Sequence, residues 1–185
     1  MEKIALLLID LQKDFFVGTS VASKENKKIL PSVIKLLQEC RKNKIPIVHL
    51  RWMLHRNVDT MPLRRKERKV TDWCRNKDGW GPVVPELEVK GGELLIEKST
   101  YSGFYETMLD SMLKRLGVKM LIIVGIYSSM CVFATALDAV YKNYKVIIPI
   151  ECVLSSRPEF NEEYLKNLDE NVGRVLELEK VLAML

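Results

Sequence analysis

The sequence predicts a single α/β domain: a three-layer, Rossmann-like fold with a six-stranded, mostly parallel, doubly wound sheet between two layers of helices. Short apolar or β-branched runs alternate with stretches of helical period along the chain. Most of those runs are uninterrupted, the pattern of strands covered on both faces. The composition, 48% hydrophobic and 29% charged over 185 residues, suits one core spanning 1–185. A chain of this size buries about 70% of its unfolded surface, so it needs neither a metal nor disulfides to fold.

The first strand is expected at residues 4–9. Ile29, Leu30, Val33, Ile34, Leu37 and Cys40 then recur at helical spacing, and Asn43 is placed to end that helix. Strands follow at 45–50 and 94–97. Phe104, Met108, Met112 and Leu116 form a second apolar stripe, stopped by Gly117, before a strand at 118–124. Val132, Ala136, Ala139 and Val140 form a third, stopped near Asn143, and the last strands are expected at 145–150 and 174–177. Helical crossovers make neighbouring strands parallel, and right-handed crossovers give an open sheet whose ligands bind outside the carboxyl ends of the strands, where the strand order reverses. There is no internal repeat or low-complexity linker.

Residues 52–90 break this rhythm with Pro62, Pro82, Pro85, Gly79, Gly81, Trp73 and Trp80. A loop this long in a compact domain reads as a lid or binding wall. Its basic run Arg64-Arg65-Lys66-Glu67-Arg68-Lys69 reads as solvated surface, because it lacks interleaved aromatics on which bases would stack. The net charge of +5 and pI of about 9.0 therefore do not point to nucleic acid. The longest apolar runs are far short of the roughly 20 residues that span a bilayer, so no membrane partner is expected. The N-terminal segment shows no small-residue cleavage site, and Cys40, Cys74, Cys131 and Cys152 form no C-x-x-C pair. A reducing, cytoplasmic setting is the expectation.

Asp10 closes the first strand, Lys98 follows the third, and Cys131 follows the fourth where the next helix begins, so all three are expected at one sheet edge. Taken singly, Asp10 is a turn or cap residue, Lys98 a solvated charge and Cys131 a small buried hydrophobe. Taken together, they suggest a cysteine held as thiolate by a helix N-terminus and an ammonium, with Asp10 to accept the proton. The stretch Gly125-Ile126-Tyr127-Ser128-Ser129-Met130-Cys131-Val132 offers backbone N–H groups of the kind an oxyanion hole needs. Phe15, Phe16, Trp52, Trp80 and Tyr127 either wall a pocket or belong to the core. The two histidines, His49 and His55, read as structural, and no nucleotide fingerprint is present. No cofactor and no metal are expected.

Three blocks in order resemble the isochorismatase-like cysteine hydrolases, which include nicotinamidases and N-carbamoylsarcosine amidases. They are Ala5-Leu6-Leu7-Leu8-Ile9-Asp10-Leu11-Gln12-Lys13-Asp14-Phe15, then Glu97-Lys98-Ser99-Thr100-Tyr101-Ser102-Gly103-Phe104 with Thr107, and the Gly125 to Val132 block followed by Thr135-Ala136 and Asp138-Ala139. The resemblance implies Cys131 as nucleophile, Asp10 as general base and Lys98 as the cation that orients and polarises the pair. It also implies a cis peptide at Ile126-Tyr127 and the N–H groups of Tyr127 and Cys131 as oxyanion donors.

Departures from the family pattern narrow the chemistry. Nicotinamidases carry a metal-binding Asp-x-His after the second strand, where this chain has Arg51-Trp52-Met53-Leu54-His55, with Met53 in place of the Asp. Arg51 is expected to bind a substrate carboxylate bidentately, beside Phe15, Trp80 and Tyr127 as substrate contacts. The usual Thr-Asp of the third block is here Ser128-Ser129. The expectation is a metal-independent cysteine amidohydrolase that cleaves a small amide or N-carbamoyl compound and works as a homo-oligomer, a dimer or tetramer. The alternatives are a nicotinamidase with an altered metal site and a non-catalytic anion-binding module on the same fold.

Overall fold

The computed structural model describes residues 2–54, 63, 67, 74 and 81–185. His55, Trp73, Trp80 and the basic run at 64–69, except Glu67, lie outside the described residues. The strands are β1 (Ile4–Ile9), β2 (Ile47–Trp52), β3 (Leu94–Lys98), β4 (Met120–Ile126), β5 (Lys145–Pro149), β6 (Val153–Leu154) and β7 (Arg174–Leu176). The helices are α1 (Leu30–Lys42), α2 (Leu109–Arg115), α3 (Cys131–Tyr141), α4 (Asn161–Asn171) and α5 (Leu178–Leu182). The sheet runs β3-β2-β1-β4-β5-β7 with every pair parallel. These six strands are the ones predicted, and their parallel pairing is as expected. A seventh strand, β6, pairs with the end of β4 at Gly125 and Ile126, and two residues are too few for a periodicity to reveal.

Chain order reverses between β1 and β4: β2 and β3 extend the sheet on one side, β5 and β7 on the other. That junction is where doubly wound sheets bind ligands. The inner strands β1 and β4 are buried almost throughout. α1 and α5 lie together on one face, with Lys35 Nζ bonded to Glu179 Oε1 at 2.5 Å. On the other face Leu50 of β2 meets Leu109 of α2 and Thr135 of α3 around Gly103.

Three helices end in the same way. After α1, Lys44 takes a left-handed φ of 55°, its N–H donates to the Arg41 carbonyl, and the Ile45 N–H reaches back to Cys40. Gly117 (φ 71°) with Val118 closes α2, and Asn143 (φ 65°) with Tyr144 closes α3. This is the Schellman termination, whose left-handed residue is followed by an apolar one packed on the helix. It explains why β2 and β4 start two residues later than expected: Ile45 and Val118 belong to the helix ends. The left-handed residue is Lys44 rather than Asn43. The second apolar stripe is also rotated. Residues 99–107 are a loop, α2 buries Leu109 and Leu113, and Met108 is 61% exposed.

Candidate active site

Asp10 is the first residue beyond β1, with a left-handed φ of 55° that an aspartate tolerates better than most residues. Its N–H continues the ladder to the Leu50 carbonyl at 2.9 Å. Lys98 ends β3, two strands away, and its long side chain runs beneath the indole of Trp52, the residue opposite it in register, with Nζ 4.2 Å from the ring. The Lys98 ammonium donates to Asp10 Oδ2 at 2.8 Å and to the Thr100 carbonyl at 3.2 Å. Cys131 is the first residue of α3, beyond β4. All three are buried.

The charges are tightly coupled. Removal from water raises the Asp10 pKa, against the lowering effect of Lys98. Burial works against the Lys98 ammonium too, but the facing Asp10 carboxylate and Cys131 sulfur outweigh it and raise the Lys98 pKa. The Cys131 thiol is pushed up, first by burial and then by the Asp10 charge, which together exceed the lowering effect of Lys98. Burial thus works against the expected thiolate and favours the thiol, which is within reach of both Asp10 and Lys98. Asp10 Oδ2 is held by Lys98, whereas Oδ1 is buried with no hydrogen-bond partner among the described residues. The cluster therefore holds a thiol proton and a spare carboxylate oxygen to receive it.

Gly125 permits the close approach of β4 to β1 that this geometry needs. Its φ is 120°, and a Cβ there would stand 2.1 Å from the Ile9 carbonyl oxygen. The peptide Ile126-Tyr127 is cis, as the resemblance implied. Met130 and Val132 donate their N–H groups to the Tyr127 carbonyl, and the Cys131 N–H belongs to the first turn of α3, whose donors the helix itself leaves unused. The Tyr127 ring meets Phe15 edge-on, centroids 6.1 Å apart, and its hydroxyl accepts from Asn26 Nδ2 at 2.9 Å and donates to the Val21 carbonyl at 3.1 Å.

Arg51 does not join this group. It lies inside β2, so strand alternation sets it with His49 on the face opposite Trp52 and Lys98. There it pairs with Glu97 at 2.5 Å, its partner in register, and lines a cavity of about 330 Å³ with His49, Leu95 and Gln12. A carboxylate bound on the Trp52 and Lys98 face would lie across the strand from the Arg51 side chain. Trp80, the remaining expected substrate contact, lies outside the described residues.

Residues without an expected role complete the site. The Gln12 amide clips the Trp52 backbone, with Oε1 accepting from Trp52 N at 2.8 Å and Nε2 donating to Trp52 O at 3.1 Å, and it also donates to Cys74 Sγ at 3.3 Å. Gln12, two residues past Asp10, was legible as part of the first block. Asn26, which fixes Tyr127, had no sequence signal. A metal of the nicotinamidase kind does not fit the described residues here: Met53 is buried, offers only a thioether where a carboxylate is needed, and spends its N–H on the Lys98 carbonyl.

An open, doubly wound sheet with a thiol, a carboxylate and an ammonium in contact at its switch point defines an α/β protein with a cysteine-centred site. The chain belongs to the isochorismatase family: the isochorismatase domain model matches residues 4–180. It is 30% identical to the uncharacterised isochorismatase family protein YaaI of Bacillus subtilis, over 91% of this chain and 89% of that one. It is 27% identical to nicotinamidase 3 of Arabidopsis thaliana, over 96% and 86%. Among solved structures it is similar to N-carbamoylsarcosine amidase from Thermoplasma acidophilum, with a TM-score of 0.81, 26% identity and coverage of 96% and 97%. The chain is an isochorismatase-family hydrolase.

Proposed function

We propose that the protein is a cysteine amidohydrolase that cleaves the C–N bond of a small amide or N-carbamoyl compound and releases ammonia, working as a cytoplasmic homo-oligomer. The observation that carries this reading is the buried Cys131 thiol facing an Asp10 carboxylate with one oxygen held by Lys98 at 2.8 Å and the other without a partner. Asp10 takes the thiol proton as Cys131 Sγ attacks the carbonyl carbon. The N–H groups of Tyr127 and Cys131 receive the oxyanion. The C–N bond then breaks, the nitrogen leaves with the proton from Asp10, and a thioester remains. Asp10 next draws a proton from water as the water attacks the thioester, and Cys131 Sγ recovers it. Lys98 keeps the carboxylate oriented throughout and offsets its charge. Phe15 and Tyr127 wall the site beside the nucleophile.

The similarity to an N-carbamoylsarcosine amidase supports the carbamoyl class. Similarity to a nicotinamidase supports amide chemistry in general, while Met53 weighs against the metal-dependent version. The test is ammonia release by wild type and Cys131→Ala across N-carbamoyl amino acids, nicotinamide, pyrazinamide and simple amides. Release by wild type alone is expected. Equal activity of Cys131→Ala overturns the thioester route, and silence of both proteins across the panel overturns the substrate class.

A further inference from the structure

Lys98 and Cys131 sit on elements that do not touch in the sheet: β3 is the edge strand, and α3 follows β4, beyond β2 and β1. Besides their shared contact with Asp10, a set of hydrogen bonds outside the sheet ties the two elements together. Lys98 Nζ donates to the Thr100 carbonyl at 3.2 Å, at the start of the loop that follows β3. Farther along that loop, Ser102 Oγ donates to Asp138 Oδ2 at 2.5 Å, and the Gly103 N–H donates to Thr135 Oγ1 at 3.0 Å. Thr135 and Asp138 lie four and seven residues after Cys131 on α3, so all three share one helix face. The loop is braced internally as well, with Phe104 N donating to Ser102 Oγ at 3.1 Å and Thr107 Oγ1 donating to the Gly103 carbonyl at 2.5 Å. It has no slack at Gly103, where a Cβ would stand 2.5 Å from Leu50 Cδ1.

We propose that Asp138 and Thr135, through Ser102 and Gly103, are positioning residues that set the Lys98 ammonium against the Cys131 thiol. The helix that carries the nucleophile thereby grips the loop that anchors its cation, and the two move as one body. This rests on the reading of Cys131 as nucleophile.

The test compares Asp138→Ala, Asp138→Asn, Ser102→Ala and the Asp138→Ala/Ser102→Ala double variant. One readout is kcat and KM on the best substrate of the wild type. The other needs no substrate: the pH dependence of Cys131 alkylation by iodoacetamide, with Cys131→Ala as the blank. The titratable groups bearing on that thiol are Asp10 and Lys98, with Cys74 also in electrostatic contact. Asp138→Ala is expected to lower kcat about tenfold or more with KM little changed, since a small misplacement of catalytic groups is costly. Alkylation should need higher pH as the ammonium draws away. Asp138→Asn, which keeps an oxygen for Ser102, should recover most of both, and the double variant should be no worse than the single ones. The proposal is overturned if the variants melt earlier while kcat and the alkylation profile stay put, or if Asn does no better than Ala. An active Cys131→Ala instead brings down the nucleophile reading, whatever the clamp does.

Discussion

Two charge clusters stand on the β2–β3 side of the sheet, and they differ in completeness. At the amino end of β3, Glu93 has both oxygens occupied: Oε1 accepts from Arg41 Nε at 2.7 Å, and Oε2 bonds Arg41 Nη2, the Lys90 N–H and His49 Nε2 at 3.1, 3.0 and 2.9 Å. Burial opposes the Glu93 charge, but the Arg41, Lys90 and His49 partners outweigh it and hold its pKa at about 2. At the carboxyl end, Asp10 has one oxygen on Lys98 and one without a partner, and burial raises its pKa. Satisfied, a buried carboxylate is a brace. Left one partner short beside a thiol, it is placed to act as the base of the proposed mechanism.

The largest expected effect separates the two roles. Asp10→Asn keeps the shape but removes the proposed base, and kcat for ammonia release, taken per folded molecule, should fall about 100- to 10,000-fold in steady-state assays. Activity within a few-fold of wild type would break the contrast.

The complementary change, Glu93→Gln, keeps an amide oxygen for Arg41 and should cost about 1 kcal/mol, read as a drop in melting temperature of about 2–4 °C. Its kcat at 25 °C should stay within about twofold, because a stability loss of this size leaves the protein largely folded.

The pH dependence sharpens the same point. Folding lowers the proton affinity of Glu93, so its stabilisation is present above its ordinary pKa of 4.5 and is lost as pH falls toward about 2. Burial lowers the pKa of His49 from 6.5, so its contribution also begins to fade below that value. In urea titrations the difference in stability between wild type and Glu93→Gln should therefore shrink as pH falls from 4.5 to 2.

The smallest effect is expected at Arg51. On the strand face opposite Trp52 and Lys98, it should lose no more than about threefold in kcat/KM on mutation to alanine. A hundredfold rise in KM would return it to the substrate pocket.

How far the site was legible follows from where each residue's information lies. Asp10, Lys98 and Cys131 were legible because each sits at the end of an apolar strand, and strand ends can be read from local pattern. Arg51 was misplaced because the strand was expected to stop at Leu50. Once Ile45 is drawn into the end of α1, β2 runs through Trp52 and alternation turns Arg51 away.

The sequence by itself determined the alternation of strands and helices in the α/β pattern, two of the three helix-ending positions and the edge on which Asp10, Lys98 and Cys131 gather, because hydrophobic period and left-handed residues are local signals. Only the tertiary structure decided that burial works against the Cys131 thiolate, that Asp10 keeps one oxygen spare, and that Ser102 meets Asp138 and Asn26 meets Tyr127. Those partnerships span 36 and 101 residues. They depend on the phase of each strand and the rotation of each helix, which no local stretch of residues encodes.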